Sequence, residues 1–132
     1  MLEQFMSESE YQVPILVVDD HRDNLDLMEA LLVGEGYQEV LLAESGEAAL
    51  AILKENDEIG LVLLDLMMPG MSGLELIEKL QNGRKPAHTI LMTAYDTPGL
   101  SITIRRLDVQ DYLVKPVDPE RIRDIVASAI KD

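Results

Sequence analysis

The sequence predicts an α/β fold built on a doubly wound parallel sheet, and three observations predict it. Residues 15–18, 61–64, 90–92 and 112–114 are short apolar runs, as suits strands covered by helices on both faces. Each run stops at a polar residue: Asp19-Asp20, Asp65, Thr93 and Lys115. Between the runs, apolar residues recur at helical spacing. In such sheets ligands bind just beyond the carboxyl ends of the strands, where strand order reverses. One cleft should therefore hold three carboxylates, a hydroxyl and an ammonium.

Residues 1–12 are acidic and precede the first strand; Leu2, Phe5 and Met6 could make a small apolar face on a docked turn, but a mobile tail is the expectation for a terminus. The first strand is expected over 13–18. A helix over 22–35 then carries Leu25, Met28, Leu31 and Leu32 on one face, closed by Gly36. The second strand spans 39–43, and Ser45 caps a helix running through Ala48, Ala49, Leu50, Ile52 and Leu53. The central strand, 59–64, runs into Asp65 and breaks at Pro69-Gly70. Ser72 with Glu75 forms a capping box for a helix to about Gln81, and Asn82-Gly83 stops it.

The fourth strand covers about 89–92, and the fourth helix lies within 98–107. Ser101-Ile102-Thr103-Ile104 is rich in β-branched residues, which lose rotamer freedom in a helix, so this element should be short or loosely held. The last strand is 111–114. Asp118-Pro119-Glu120 opens the last helix with a cap, an N1 proline and a first-turn acid, ahead of a stripe of Ile122, Ile125, Val126, Ala129 and Ile130.

The 132 residues are one domain's worth. Aliphatic side chains must form the core, because 47% of residues are hydrophobic and only 4% aromatic. No cysteine is present, which removes disulfides, thiolate metal sites and cysteine nucleophiles. No apolar run approaches the roughly 18 residues of a membrane span, and no basic-then-apolar leader precedes the fold, so a cytoplasmic protein without membrane contact is expected. A net charge of −14, from 25 acids against 11 bases, repels phosphate backbones and argues against nucleic-acid binding by this chain.

Asp19-Asp20, Asp65 followed by Met-Met-Pro-Gly, Thr93-Ala94 and Lys115-Pro116, in this order and spacing, closely resemble the receiver domain of two-component response regulators. The resemblance spans about residues 14–131 and is similar to the single-domain chemotaxis type. It implies a flavodoxin-like sheet of five strands in the order 2-1-3-4-5 with five helices, so that 1–12 is an N-terminal tail and 13–132 the receiver domain. One departure is Asp108-Val109, where the family usually has Gly-Ala. Asp tolerates the left-handed turn that Gly permits there, at the cost of some strain.

Three crowded carboxylates repel one another, so a cation must compensate. Lys115 supplies one charge, and all-oxygen donors favour Mg²⁺ or Mn²⁺ over Zn²⁺ for the rest. The resemblance implies that Asp20, Asp65 and the carbonyl of Met67 bind the metal directly, with Asp19 acting mainly through water. Asp65 is the expected phosphoacceptor, since a carboxylate can attack phosphorus to give an acyl phosphate. A lone Asp would more simply be a cap. By resemblance Thr93 bonds a phosphoryl oxygen and Tyr112 is the switch aromatic, against the plainer readings of ordinary strand residues. The resemblance also implies a cis Lys115-Pro116 bond that turns the ammonium into the cleft, although few X-Pro bonds are cis.

His21 and His88 read as surface residues rather than phosphodonors, so the phosphoryl donor must be another molecule, and the resemblance implies a phosphohistidine on a sensor histidine kinase or a histidine phosphotransfer protein. The expected function is a phosphorylation-dependent switch that catalyses its own phosphorylation and dephosphorylation and is not otherwise an enzyme. Its signal passes to a downstream protein or output domain, and the face of the fourth helix, fifth strand and fifth helix could also pair two copies. A haloacid-dehalogenase-type phosphatase shares the strand-end Asp and Mg²⁺ but normally has a second Asp where this chain has Met67. A degenerate receiver used only for interaction should lack part of the acid, Thr and Lys set, all of which is present.

Overall fold

The computed structural model describes residues 8–66, 68, 70, 73–81, 88–94 and 111–131. Five parallel strands, β1 (Ile15–Val18), β2 (Val40–Ala43), β3 (Leu61–Asp65), β4 (His88–Thr93) and β5 (Asp111–Val114), form one sheet in the order β2-β1-β3-β4-β5. The helices among the described residues are a short turn α1 (Glu8–Tyr11), then α2 (Arg22–Gly34), α3 (Gly46–Glu55), α4 (Gly73–Gln81) and α5 (Pro119–Lys131). The helix expected within 98–107, the Ser72 cap and the Asp108-Val109 corner lie outside the described residues.

Strand period two divides the core into two layers. Ile15, Val17, Leu61, Leu63, Ile90 and Met92 join Leu25, Met28 and Leu32 of α2 and Ile122, Ile125, Val126 and Ala129 of α5. Their strand neighbours Leu16, Val18, Val62, Leu64 and Leu91 face the other way, onto Ala49 and Leu53 of α3 and Leu76 and Ile77 of α4. Both sheet faces are apolar because both are covered, which is why the runs show no polar alternation.

Local chemistry sets the ends of these elements. Ser45 Oγ accepts from the Ala48 N–H at 3.0 Å, and Asp118 Oδ1 accepts from the Glu120 N–H at 3.0 Å, so both caps act on their helices. After α2 the chain turns at Gly36 with φ +107, while the Gly36 and Tyr37 N–H groups reach back to the Val33 and Leu32 carbonyls. β1 begins two residues later than the apolar run suggests. The Val13 N–H bonds back to the Glu10 carbonyl, and Pro14 has no N–H, so Ile15 is the first residue free to join the ladder. At Gly60 an added Cβ would stand 2.5 Å from Val13 Cγ1, so a larger residue would have to displace the Val13 side chain where β3 enters beside this turn.

Residues 8–12, expected within the tail, differ from that reading. Glu8–Tyr11 is a helical turn held to the domain at its last residue. The Tyr11 ring tilts against that of the buried Tyr37 at 5.4 Å, and the Tyr11 carbonyl accepts the Gln38 N–H at 3.0 Å. A terminus with an aromatic anchor gains enough contact to offset its ordering entropy, and the acidic composition of the segment hid this. Tyr11→Ala should lower the melting temperature by about 3–8 °C, taking about 1–2 kcal/mol for the lost ring contact. An unchanged melt in differential scanning calorimetry would return these residues to the tail.

Candidate functional site

Strand register brings the acids together. Val18 pairs with Leu64 on β3, so the next residues, Asp19 and Asp65, lie side by side at the sheet's carboxyl edge. Asp65 pairs with Met92, and Thr93 pairs with Val114, so Thr93 and Lys115 follow one strand further on. The ladder continues past the strands: the Asp19, Leu66 and Lys115 N–H groups donate to the carbonyls of Ala43, Met92 and Thr93 at 3.1, 2.8 and 2.6 Å. These bonds fix the backbone under every strand-end group. The Lys115-Pro116 peptide is cis.

Asp19 and Asp65 are almost wholly buried, at 1% and 4% exposure, so neither charge is screened by water and each needs partners. Lys115 Nζ donates to Asp19 Oδ2 at 2.9 Å and stands 3.3 Å from Asp65 Oδ2. Asp19 also accepts the His21 N–H at 2.9 Å and the Asn24 side-chain amide at 3.4 Å. Burial pushes the Asp19 carboxyl up, but the His21 N–H and the bond and charge of Lys115 together outweigh it and hold the group below the usual carboxylate range. Burial likewise pulls Lys115 down, yet its bond to Asp19 and the charges of Asp65 and Asp19 leave it above its ordinary value.

Asp20 is the exception. Its Oδ1 is buried and has no hydrogen-bond partner among the described residues. His21 Nδ1 lies 3.2 Å away without hydrogen-bonding alignment. Ligand-capable atoms of Asp19, Asp20, His21 and Asp65 all lie within 4.8 Å of one another. An oxygen-rich donor set with an unsatisfied buried oxygen fits a hard divalent cation, so the cluster could hold a metal ion. An open cleft of about 670 Å³ lies over it, lined by Asp20, His21, Asn24, Asp65, Ala94 and Lys115 among others.

The structure thus gathers Asp19, Asp20, Asp65 and Lys115 in one place and sets the buried Thr93 at the adjoining strand end. Tyr112 is half-buried on β5 against the α3/α4 layer of the core. The Met67 carbonyl lies outside the described residues. His88 departs from its surface reading: it is half-buried as the first residue of β4, paired with Leu61, and its Nδ1 is buried without a partner among the described residues. Two site residues escaped sequence reasoning. His21 is exposed, as expected, but belongs to the acid cluster, and Asn24 bonds Asp19 from one turn into α2. The signal available for both was their position just after the acid pair, at the start of a helix that must begin beside the cleft.

Comparison with known proteins identifies the class. The sequence profile of the response regulator receiver domain matches residues 15–127, and the chain belongs to that family, a signalling domain of two-component systems. It is 34% identical over 119 residues to the transcriptional regulatory protein ZraR of Klebsiella oxytoca, covering 90% of this chain and 26% of ZraR. It is 42% identical over 106 residues to the response regulator PleD of Caulobacter vibrioides, covering 79% of this chain and 23% of PleD. The chain therefore spans about a quarter of the length of these relatives. Its fold superposes on the crystal structure of the CheX-CheY-BeF3-Mg+2 complex from Borrelia burgdorferi with a TM-score of 0.81 and 26% identity, covering 87% of each chain. Among the described residues no helix is long and apolar enough to cross a membrane.

Proposed function

We propose that Asp65 is the phosphoacceptor of a cytoplasmic phosphorylation switch, charged by a phosphohistidine on a histidine kinase or phosphotransfer protein. The observation that supports it best is the Asp65 carboxylate at the end of β3, backed by Lys115 at 3.3 Å and flanked by Asp19. In the transfer, an Asp65 oxygen forms a bond to phosphorus while the P–N bond to the donor imidazole breaks, and the imidazole nitrogen keeps the electron pair. Lys115 holds a proton throughout and neutralises charge on the phosphoryl oxygens, and its grip on Asp19 keeps the ammonium aimed at the cleft.

Asp19, Asp20 and Asp65 would hold the divalent ion, Mg²⁺ or Mn²⁺, with the Met67 carbonyl as a further donor. When bound, that ion supplies the remaining positive charge at the phosphoryl group. The CheX-CheY-BeF3-Mg+2 complex of Borrelia burgdorferi, on which this fold superposes, is consistent with this choice. The Thr93 hydroxyl is proposed to bond a phosphoryl oxygen, and Tyr112 to turn inward as Thr93 moves. Thr93 ends β4 and Tyr112 lies on the neighbouring β5, and the face of β5 and α5 would then meet a downstream protein, an output domain or a second copy.

Incubation with acetyl phosphate and Mg²⁺ should add one phosphoryl mass to the wild type and none to Asp65→Asn or to samples in EDTA. A gain that persists in Asp65→Asn would place the chemistry elsewhere. With beryllofluoride, amide exchange over β4 and β5 should slow. Identical exchange with and without it would defeat the switch.

A further inference from the structure

We propose that His21 is a protein ligand of the divalent-ion site and sets its metal preference, drawing the site toward first-row transition ions that favour imidazole, such as Co²⁺, relative to Mg²⁺. This rests on the receiver reading above. Spacing is the first support. His21 Nδ1 stands 3.2 Å from Asp20 Oδ1 and 3.4 Å from Asp19 Oδ1. Two donors bound at right angles to one ion at about 2.1 Å lie roughly 3 Å apart, so these atoms are spaced as neighbouring ligands are.

The second support is the unmet need of Asp20. Its buried Oδ1 has no hydrogen-bond partner among the described residues although the imidazole is beside it, so the ring approaches without satisfying the oxygen. A cation between the two would use both lone pairs. The third is the backbone. His21 is the N-cap of α2, in extended conformation at φ −99 and ψ 115, yet its side chain makes no capping bond. Its N–H is tied to Asp19 Oδ1, which pins the residue and its imidazole beside the acids.

Chemistry then gives direction to the preference. Carboxylate and water donors suit Mg²⁺, whereas imidazole adds affinity for Co²⁺, Ni²⁺ or Zn²⁺. The ring is 68% exposed, so it can swing away and give its place to water when the ion is Mg²⁺, which keeps several waters. His21 therefore raises affinity for one class of ion and leaves the other nearly unchanged.

Isothermal titration of the whole chain with CoCl2 and with MgCl2 tests this in the wild type, His21→Gln, His88→Gln and Asp65→Asn, alongside the visible spectrum of the Co²⁺ form. The expected result is Co²⁺ binding weakened about tenfold or more in His21→Gln with a changed Co²⁺ spectrum, Mg²⁺ binding within twofold of wild type, and no change in His88→Gln. Co²⁺ affinity retained in His21→Gln, an equal loss for both ions, or Co²⁺ binding that is untouched by Asp65→Asn would overturn it. The last outcome would mean a surface imidazole acting without the acids. Failure of the receiver reading looks different: Mg²⁺ would not bind, and Asp65 would gain no phosphoryl group, whatever His21→Gln does to Co²⁺.

Discussion

Lys115→Ala is expected to slow phosphoryl uptake from acetyl phosphate by about a hundredfold or more and also to destabilise the protein. The rate effect follows from removing a preorganised positive charge at the reacting group, a loss that commonly costs about 3–4 kcal/mol of transition-state stabilisation. The stability effect follows from what remains. Asp19 and Asp65, 1% and 4% exposed, would face each other without the ammonium that now stands 2.9 and 3.3 Å from them. Stripping one partner from a buried ion pair typically costs about 3–5 kcal/mol. Lys115 keeps some water contact, so about 3 kcal/mol, or a fall of about 10 °C in melting temperature, is the expected size. Intact-mass time courses measure the first effect and thermal melts in EDTA the second. A variant that melts with the wild type would show that Lys115 serves chemistry alone.

Asp20→Ala should act in the opposite sense. Asp19 is held by the His21 N–H, Lys115 and Asn24, whereas Asp20 adds a charge to the cluster with a buried oxygen that no described residue satisfies. Removing it should raise the melting temperature in EDTA by several degrees, since roughly 1 kcal/mol corresponds to about 3–5 °C at this chain length. Millimolar Mg²⁺ should stabilise the wild type by linkage and the variant far less. Asp19→Asn should instead lower the melt.

The pH dependence follows from Asp19, whose carboxyl is lowered in the fold. The stability it contributes is fully present above its unfolded pKa of about 3.9 and is lost as pH falls through the still lower folded value. Lys115, raised in the fold, contributes below its unfolded pKa of about 10.4 and loses that contribution as pH climbs through its folded value. The pair is therefore indifferent to pH across the neutral range. Acid melts of Asp19→Asn should lack the wild type's low-pH decline from this group. If Asp20→Ala melts below the wild type without metal, Lys115 already balances all three acids.

By itself the sequence determined the layering and the location of the site. Runs such as 15–18 and 61–64 are apolar on both strand faces, which is stable only in a sheet covered twice, and a strand that ends in a charge must end at the edge of that sheet. Local caps were equally legible at Ser45 and Asp118, because a hydroxyl or carboxylate two or three residues before a free N–H is a short-range matter. Tertiary structure alone decided how the charges share the cleft. Asp19 and Asp20 are the same residue type side by side in the string, yet one is gripped by a lysine 96 residues away and the other keeps an oxygen with no partner among the described residues. Nor could composition show that Tyr11 would dock on Tyr37, or that the imidazole of His21 would lie against the acids. Hydrophobic period and capping act over a few residues and can be read along the chain, whereas Coulombic pairing and ligand spacing depend on distances that exist only after distant strand ends have been brought side by side.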